Sequence, residues 1–160
     1  MKIDVKVDTT TLERTLADFP EALARAQQRI LQDIGQAVAS RATLAFRTPQ
    51  MRPSPWAPRK PSYTVTVNKK TGKKTKKLDN HPLLIKTGSL RQSIGWKLRG
   101  SDTVVVGTDR KYAGYHQTGT KRMPARPFLP VDKGGELVPQ MRSKISKIVE
   151  RDMAEELGKL

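Results

Sequence analysis

The chain has 160 residues, of which only 36% are hydrophobic and eight aromatic, and it carries a formal net charge of +16 with no cysteine. That length suits one domain with a real but thin core, and the missing cysteine excludes a disulfide framework, a thiolate nucleophile and a cysteine-bound zinc. The charge is concentrated: residues 41–133 hold 21 Lys and Arg against four acids, between balanced ends, as expected of a scaffold presenting one positive surface to a large anionic partner.

Ile3, Val5 and Val7 alternate with Lys2, Asp4, Lys6 and Asp8, the period of a half-buried strand. Thr10 and Glu13 have the spacing of a capping box, followed by the apolar positions Leu12, Leu16 and Phe19. Pro20, bracketed by Asp18 and Glu21, reads as the first turn of another helix, where a proline costs little. The pattern therefore predicts a short helix near 10–18 and a longer one near 19–46. Leu23, Ile30, Ile34, Val38 and Phe46 mark the inner face of the second, with alanines between them that permit close approach to a sheet or another subunit.

Pro49, Pro53, Pro55, Pro58 and Pro61 exclude helix and central strand from the next stretch. Trp56 lies among them, placed to pin this extended chain against the body. Tyr63 to Val67 reads as a strand. After it, Lys69, Lys70, Lys73, Lys74, Lys76 and Lys77 surround Gly72, predicting a basic projecting hairpin or mobile loop over about 68–78. Thr87 and Gly88 turn into a short helical segment. Ser93 to Leu98 and Thr103 to Gly107 read as strands joined by a turn at Arg99 to Asp102. Tyr112 to Gln117 suggests one or two helical turns stopped by Gly119, and Lys121 to Pro130 an extended loop. Leu137, Met141, Ile145, Ile148, Met153 and Leu157 outline an amphipathic C-terminal helix. The sum is one α+β domain over residues 1–160: a small antiparallel β-sheet packed by a long N-terminal helix and a C-terminal amphipathic helix, with proline-rich extended loops.

Reaction chemistry finds few footholds. The two histidines, His81 and His116, have no carboxylate near them in sequence, and Asp79, Asp102, Asp109 and Asp132 are scattered where a two-metal nuclease needs clustered carboxylates. Ser89, His116 and Asp109 make a hydrolase triad only on paper, without a nucleophile elbow, and no glycine-rich phosphate loop is present. His116, between Tyr112 and Gln117, reads as a hydrogen-bonded structural histidine. The expectation is a non-enzyme with no catalytic residue, metal or cofactor. Short apolar runs and the polar Met1 to Asp4 start predict a soluble protein made in a cytoplasm, with no membrane span. The lysine run fits either a solvated tip or contacts with phosphate or an acidic protein surface.

Three segments carry more specific information in combination: LIKTGSLRQSI at 84–94, VGTDRKYAGYHQTG at 106–119 and PARPFL at 124–129. In this order and spacing the chain resembles the tailed-phage virion morphogenesis family, tail-completion or neck proteins such as the G protein of phage Mu. PSPWAP at 53–58 is similar to the family's proline and tryptophan segment, so the likeness covers roughly residues 44–131. The motif positions are Trp56, Thr87, Gly88, Leu90, Ser93, Gly107, Tyr112, His116, Gln117, Gly119 and Pro127; Gly88, Gly107 and Gly119 are expected to serve turns or unusual backbone angles. The lysine run is not part of the shared motifs.

The resemblance implies a structural role at the junction of capsid and tail. The copies are expected to form a ring, typically six-fold, beside head–tail connector, tail-terminator or tail-tube proteins, with the basic surface facing either such a ring or the end of the packaged DNA. Such a subunit completes the tail or neck so that it can join a filled head, or caps the tail tube as a terminator. A nucleic-acid-binding protein using the lysines is the alternative from charge alone. The expected contact residues are the six lysines with Arg122, Arg126, Phe128 and Leu129. Arg126 offers a planar fork suited to a carboxylate, and Phe128 with Leu129 either an apolar interface anchor or part of the subunit's own core.

Overall fold

A computed structural model of the chain describes residues 10–78 and 80–159, with side chains from residue 19 onward. The strand expected at Ile3 to Val7 and the side chains of the Thr10 and Glu13 cap lie outside the described residues. In chain order the elements are α1 (Thr10–Leu44), a 3₁₀ turn (Pro49–Met51), β1 (Tyr63–Val67), β2 (Lys74–Leu78), α2 (Ser89–Gln92), β3 (Gly95–Arg99), β4 (Thr103–Gly107), α3 (Ala113–Thr118) and α4 (Pro139–Leu157). The fold is α+β, with the expected sheet divided into two separate two-stranded ribbons, β1–β2 and β3–β4. One correction concerns the N-terminal helices. Pro20 lies inside a continuous α1 instead of opening a second helix. A proline removes one backbone hydrogen bond, and the turns that follow it are held by the burial of Ala22 and Ala26.

The described chain forms two compact units. The first contains α1 up to Ala37, residues 96–106 and α4. Its α1 face is built from alanines, with Ala22, Ala26 and Ala37 buried, whereas Leu23 is exposed. The helix and the β3–β4 ribbon touch at Gly35: a Cβ there would lie 2.8 Å from the Trp96 ring and from Val104. Trp96 Nε1 donates to Gln36 Oε1 at 3.0 Å beside this contact. Trp96, Leu98 and Val104 alternate with exposed neighbours, and the two strands expected here form, although the first begins at Gly95, not Ser93.

On α4 the inner face differs from the apolar stripe. Met141, Ile148, Asp152 and Glu156 are buried, while Met153 is half-buried and Leu157 exposed. These acids meet cations from two places, Arg25 and Arg29 on α1 and, nearer, Arg151 and Lys159 of the C-terminal segment. Arg29 forms a bidentate pair with Glu155 at 2.6 and 2.7 Å and lies 3.5 Å from Glu156. Arg151 donates to Asp33 and, at 2.7 Å, to Asp152, whose side chain is fully buried. The guanidinium of Arg29 holds the Glu155 carboxyl below the usual range, and Lys159 does the same for Glu156. Hydrophobic periodicity alone misses this face, because a buried carboxylate reads as a surface residue until its partner is known.

The second unit comprises residues 38–95 and 107–138. Its core is Ala42, Ala45, Phe46, Trp56, Leu90, Ala113 and Phe128, with Met51, Leu83, Leu84, Ile85, Ile94 and Leu129 packed against it. Few apolar groups suffice because three are aromatic. Phe46 meets Trp56 edge-on at 5.7 Å between ring centroids and Phe128 at 5.4 Å.

Candidate functional site

The motif positions converge in the second unit, where they hold the proline-rich segments together. Gln117 on α3 acts as a short piece of strand: its Oε1 accepts from the backbone N–H groups of Phe128 and Leu129, both at 3.1 Å, and its Nε2 donates to the Leu129 carbonyl. Trp56 Nε1 donates to the Pro127 carbonyl at 2.7 Å, joining the 53–58 segment to the 124–130 strap. Proline-rich backbone has few amides with which to form a ladder, so side chains supply the missing hydrogen bonds.

Arg126 belongs to this scaffold. It is buried, with Nε donating to the Ala57 carbonyl at 3.0 Å and a terminal nitrogen to Pro58 at 3.2 Å. The expected carboxylate fork is thus turned inward onto two backbone carbonyls, which exposed extended chain would otherwise leave to water. Phe128 is buried in the subunit's own core, and Leu129 is half-buried against it. Arg122 lies on the exposed Thr120–Met123 turn.

Around them, Ser93 Oγ donates to the Leu90 carbonyl at 2.9 Å and meets Thr108 Oγ1 at 2.6 Å. Thr87, Ser89 and Tyr112 share a chain of hydroxyl contacts at 2.8 and 3.2 Å. Ser89 is thereby engaged with hydroxyl groups, and Asp109 pairs with Arg110, a different arrangement from the paper triad. His116 meets Tyr112 edge-on at 6.0 Å, and its Nδ1 is buried with no hydrogen-bond partner among the described residues. Burial, and then the charge of Arg126, push the His116 pKa down, keeping the ring neutral at pH 7.

Of the three motif glycines, Gly88 is left-handed at φ 73°. Gly119 has φ 79° and ψ 179°, and a Cβ there would lie 2.8 Å from the Ala125 nitrogen. Gly107 departs from the expectation, with open space around its Cβ position and no left-handed angle.

The lysine run forms a hairpin. β1 and β2 pair antiparallel with Tyr63 opposite Leu78, Val65 opposite Lys76 and Val67 opposite Lys74, and every strand residue is exposed. Lys74, Lys76 and Lys77 lie on β2, while Lys69, Lys70 and Lys73 are at the tip. Asn68 shapes the turn by accepting from the backbone of Lys70 at 2.9 Å and Thr71 at 3.2 Å. The lysines draw attention in the sequence, but the apolar residues sharing their ribbon do not. Their period-two spacing at 63, 65 and 67 was the available signal. Among the described residues, no group of His, Asp and Glu side chains is placed to hold a metal ion, and no helix is long and apolar enough to cross a membrane.

Comparison with known proteins gives a consistent result. The profile of the phage virion morphogenesis family matches residues 7–154. Over 56 residues the chain is 39% identical to a protein named Mu-like prophage FluMu G protein 1 from Haemophilus influenzae, a match covering 35% of this chain and 34% of that relative. The matched segment is thus about a third of the relative's length. No solved structure matches.

Proposed function

Because this chain belongs to the phage virion morphogenesis family, we propose that it is a structural, non-enzymatic subunit of the head–tail junction. Family membership gives it a role in phage virion structure or assembly. The finer reading is that its copies form a ring, six-fold by the resemblance, that completes the tail or neck and lets it join a DNA-filled head. Its neighbours are then connector, tail-terminator or tail-tube proteins, with the end of the packaged genome within reach. It is made in the host cytoplasm and ends in the virion.

The observation that carries this reading is the profile match along nearly the whole chain. The use of the motif residues adds support: Trp56, Gln117, Arg126 and Phe128 stabilise one shape, as expected of a building block. Exposed Phe19, Leu23 and Tyr115 remain for neighbours to cover.

A phage deleted for this gene should accumulate filled heads and finished tails that fail to join, seen by electron microscopy of lysates. Normal virions would remove the reading. Tails of uncontrolled length would favour the terminator role instead. A nucleic-acid-binding role would instead appear as duplex binding that is lost when the six hairpin lysines become glutamine.

A further inference from the structure

We propose that the β1–β2 hairpin is a docking arm for another polypeptide whose surface alternates apolar side chains with carboxylates. Cross-strand partners in an antiparallel pair project from the same side. One face of this ribbon therefore carries Tyr63, Val65, Val67 and Leu78 together with Lys74 and Lys76; the other carries Thr64, Thr66, Thr75 and Lys77. The four apolar side chains of the first face are 46 to 60% exposed.

Two physical facts argue that this face is covered in use. A two-stranded hairpin is marginal by itself in water and normally needs packing on one face. Here every residue of both strands is exposed, and among the described residues neither face is packed. Charge then selects the occupant: residues 63–78 contain six lysines and no acid, so the cover must be negative. A second copy of this +16 chain would bring its own hairpin lysines and is disfavoured.

The interleaving of the two residue types distinguishes among negative partners. Val65 and Val67 each lie directly opposite a lysine, so any occupant of this face must meet methyl groups and ammonium groups side by side. Duplex DNA would press phosphates against valines and gain nothing from them. A lipid bilayer would draw Lys74 and Lys76 toward hydrocarbon along with the valines. A protein surface can match the pattern residue by residue, with apolar contacts for affinity and carboxylates for register.

This deepens the head–tail reading and rests on it only for where the partner is met. The test uses the full chain in infected cells and in purified particles, with a zero-length carbodiimide that joins a lysine to a carboxylate in direct contact, read by mass spectrometry. Lys74 and Lys76 should link to Asp or Glu of one identified partner protein at least about tenfold more than Lys77 does. Val65→Thr with Val67→Thr, which keeps shape and strand propensity, should lower that yield by about tenfold. Circular dichroism confirms that the variant is folded.

Equal labelling of Lys74, Lys76 and Lys77, or no inter-protein link, would overturn the proposal. So would binding to a 30-base-pair duplex or to phosphatidylglycerol vesicles that is lost in Lys74→Gln with Lys76→Gln but untouched by the valine changes. The deletion phenotype decides the junction role separately, because the links are read in whichever complex holds the chain.

Discussion

Replacing Phe128 by alanine tests most directly how the second unit is held together. The ring is 1% exposed and packs at a tilt on Phe46, 5.4 Å between centroids, which in turn meets Trp56. Burying such a side chain contributes about 1.5–3 kcal/mol by transfer alone, and the cavity left by truncation raises the usual loss to about 3–5 kcal/mol. Rigid neighbours place this site near the middle, at about 4 kcal/mol: Trp56 is tied to the Pro127 carbonyl and Arg52 lies 4.0 Å over its ring. With a urea slope of about 2 kcal/mol/M, the midpoint should fall by about 2 M. The signal is Trp56 fluorescence in a Trp96→Phe background, since Trp96 belongs to the other unit. Phe128→Leu, which keeps most of the volume, should lose about 1.5 kcal/mol, and the exposed Tyr115→Ala within about 0.5 kcal/mol. An unchanged midpoint for Phe128→Ala, with weakened association of copies in sedimentation, would refute the core assignment and make this ring an interface anchor.

Gly35→Ala should destabilise although alanine is the better helix former by about 1 kcal/mol, because the added methyl meets the Trp96 ring and Val104 at 2.8 Å; a raised melting temperature would contradict that packing. Gly119→Ala combines a backbone angle costing about 1–3 kcal/mol for other residues with a clash against Ala125, and a scan showing no loss in thermal stability would count against the strap geometry. Glu155 and Glu156 titrate below their ordinary range in the fold because Arg29 and Lys159 bind the charged forms. Their contribution is therefore present above the unfolded pKa of about 4.3 and is lost as pH falls through the depressed folded values. Amide exchange in α4 should accelerate as pH is lowered through that window after correction for intrinsic rates, and Glu155→Gln with Glu156→Gln should flatten the response.

Local patterning determined the α+β class, the β3–β4 ribbon, the short α3 stopped at Gly119 and the existence of long helices near both ends. Each depends on a period or a turn residue visible within a few neighbours. The combination of three motif segments was also enough to point to the family. What those motifs do was not legible. Gln117 serves as a surrogate strand for Phe128 and Leu129, and Arg126 satisfies Ala57 and Pro58, through partners 11 and 69 residues away.

The same holds for the inner face of α4. Asp152 and Glu156 take the places of Met153 and Leu157 on it, facing Arg29 and Arg25 of a helix more than 120 positions earlier as well as the neighbouring Arg151 and Lys159. A charge is costly to bury alone and tolerable beside its counter-charge, so burial of an acid depends on the tertiary neighbour and not on the local period. The hairpin shows the complementary case. Its composition announced a basic tip, but only strand register decided that Val65 and Val67 share a face with Lys76 and Lys74, because a slip of one residue would have placed them on opposite sides.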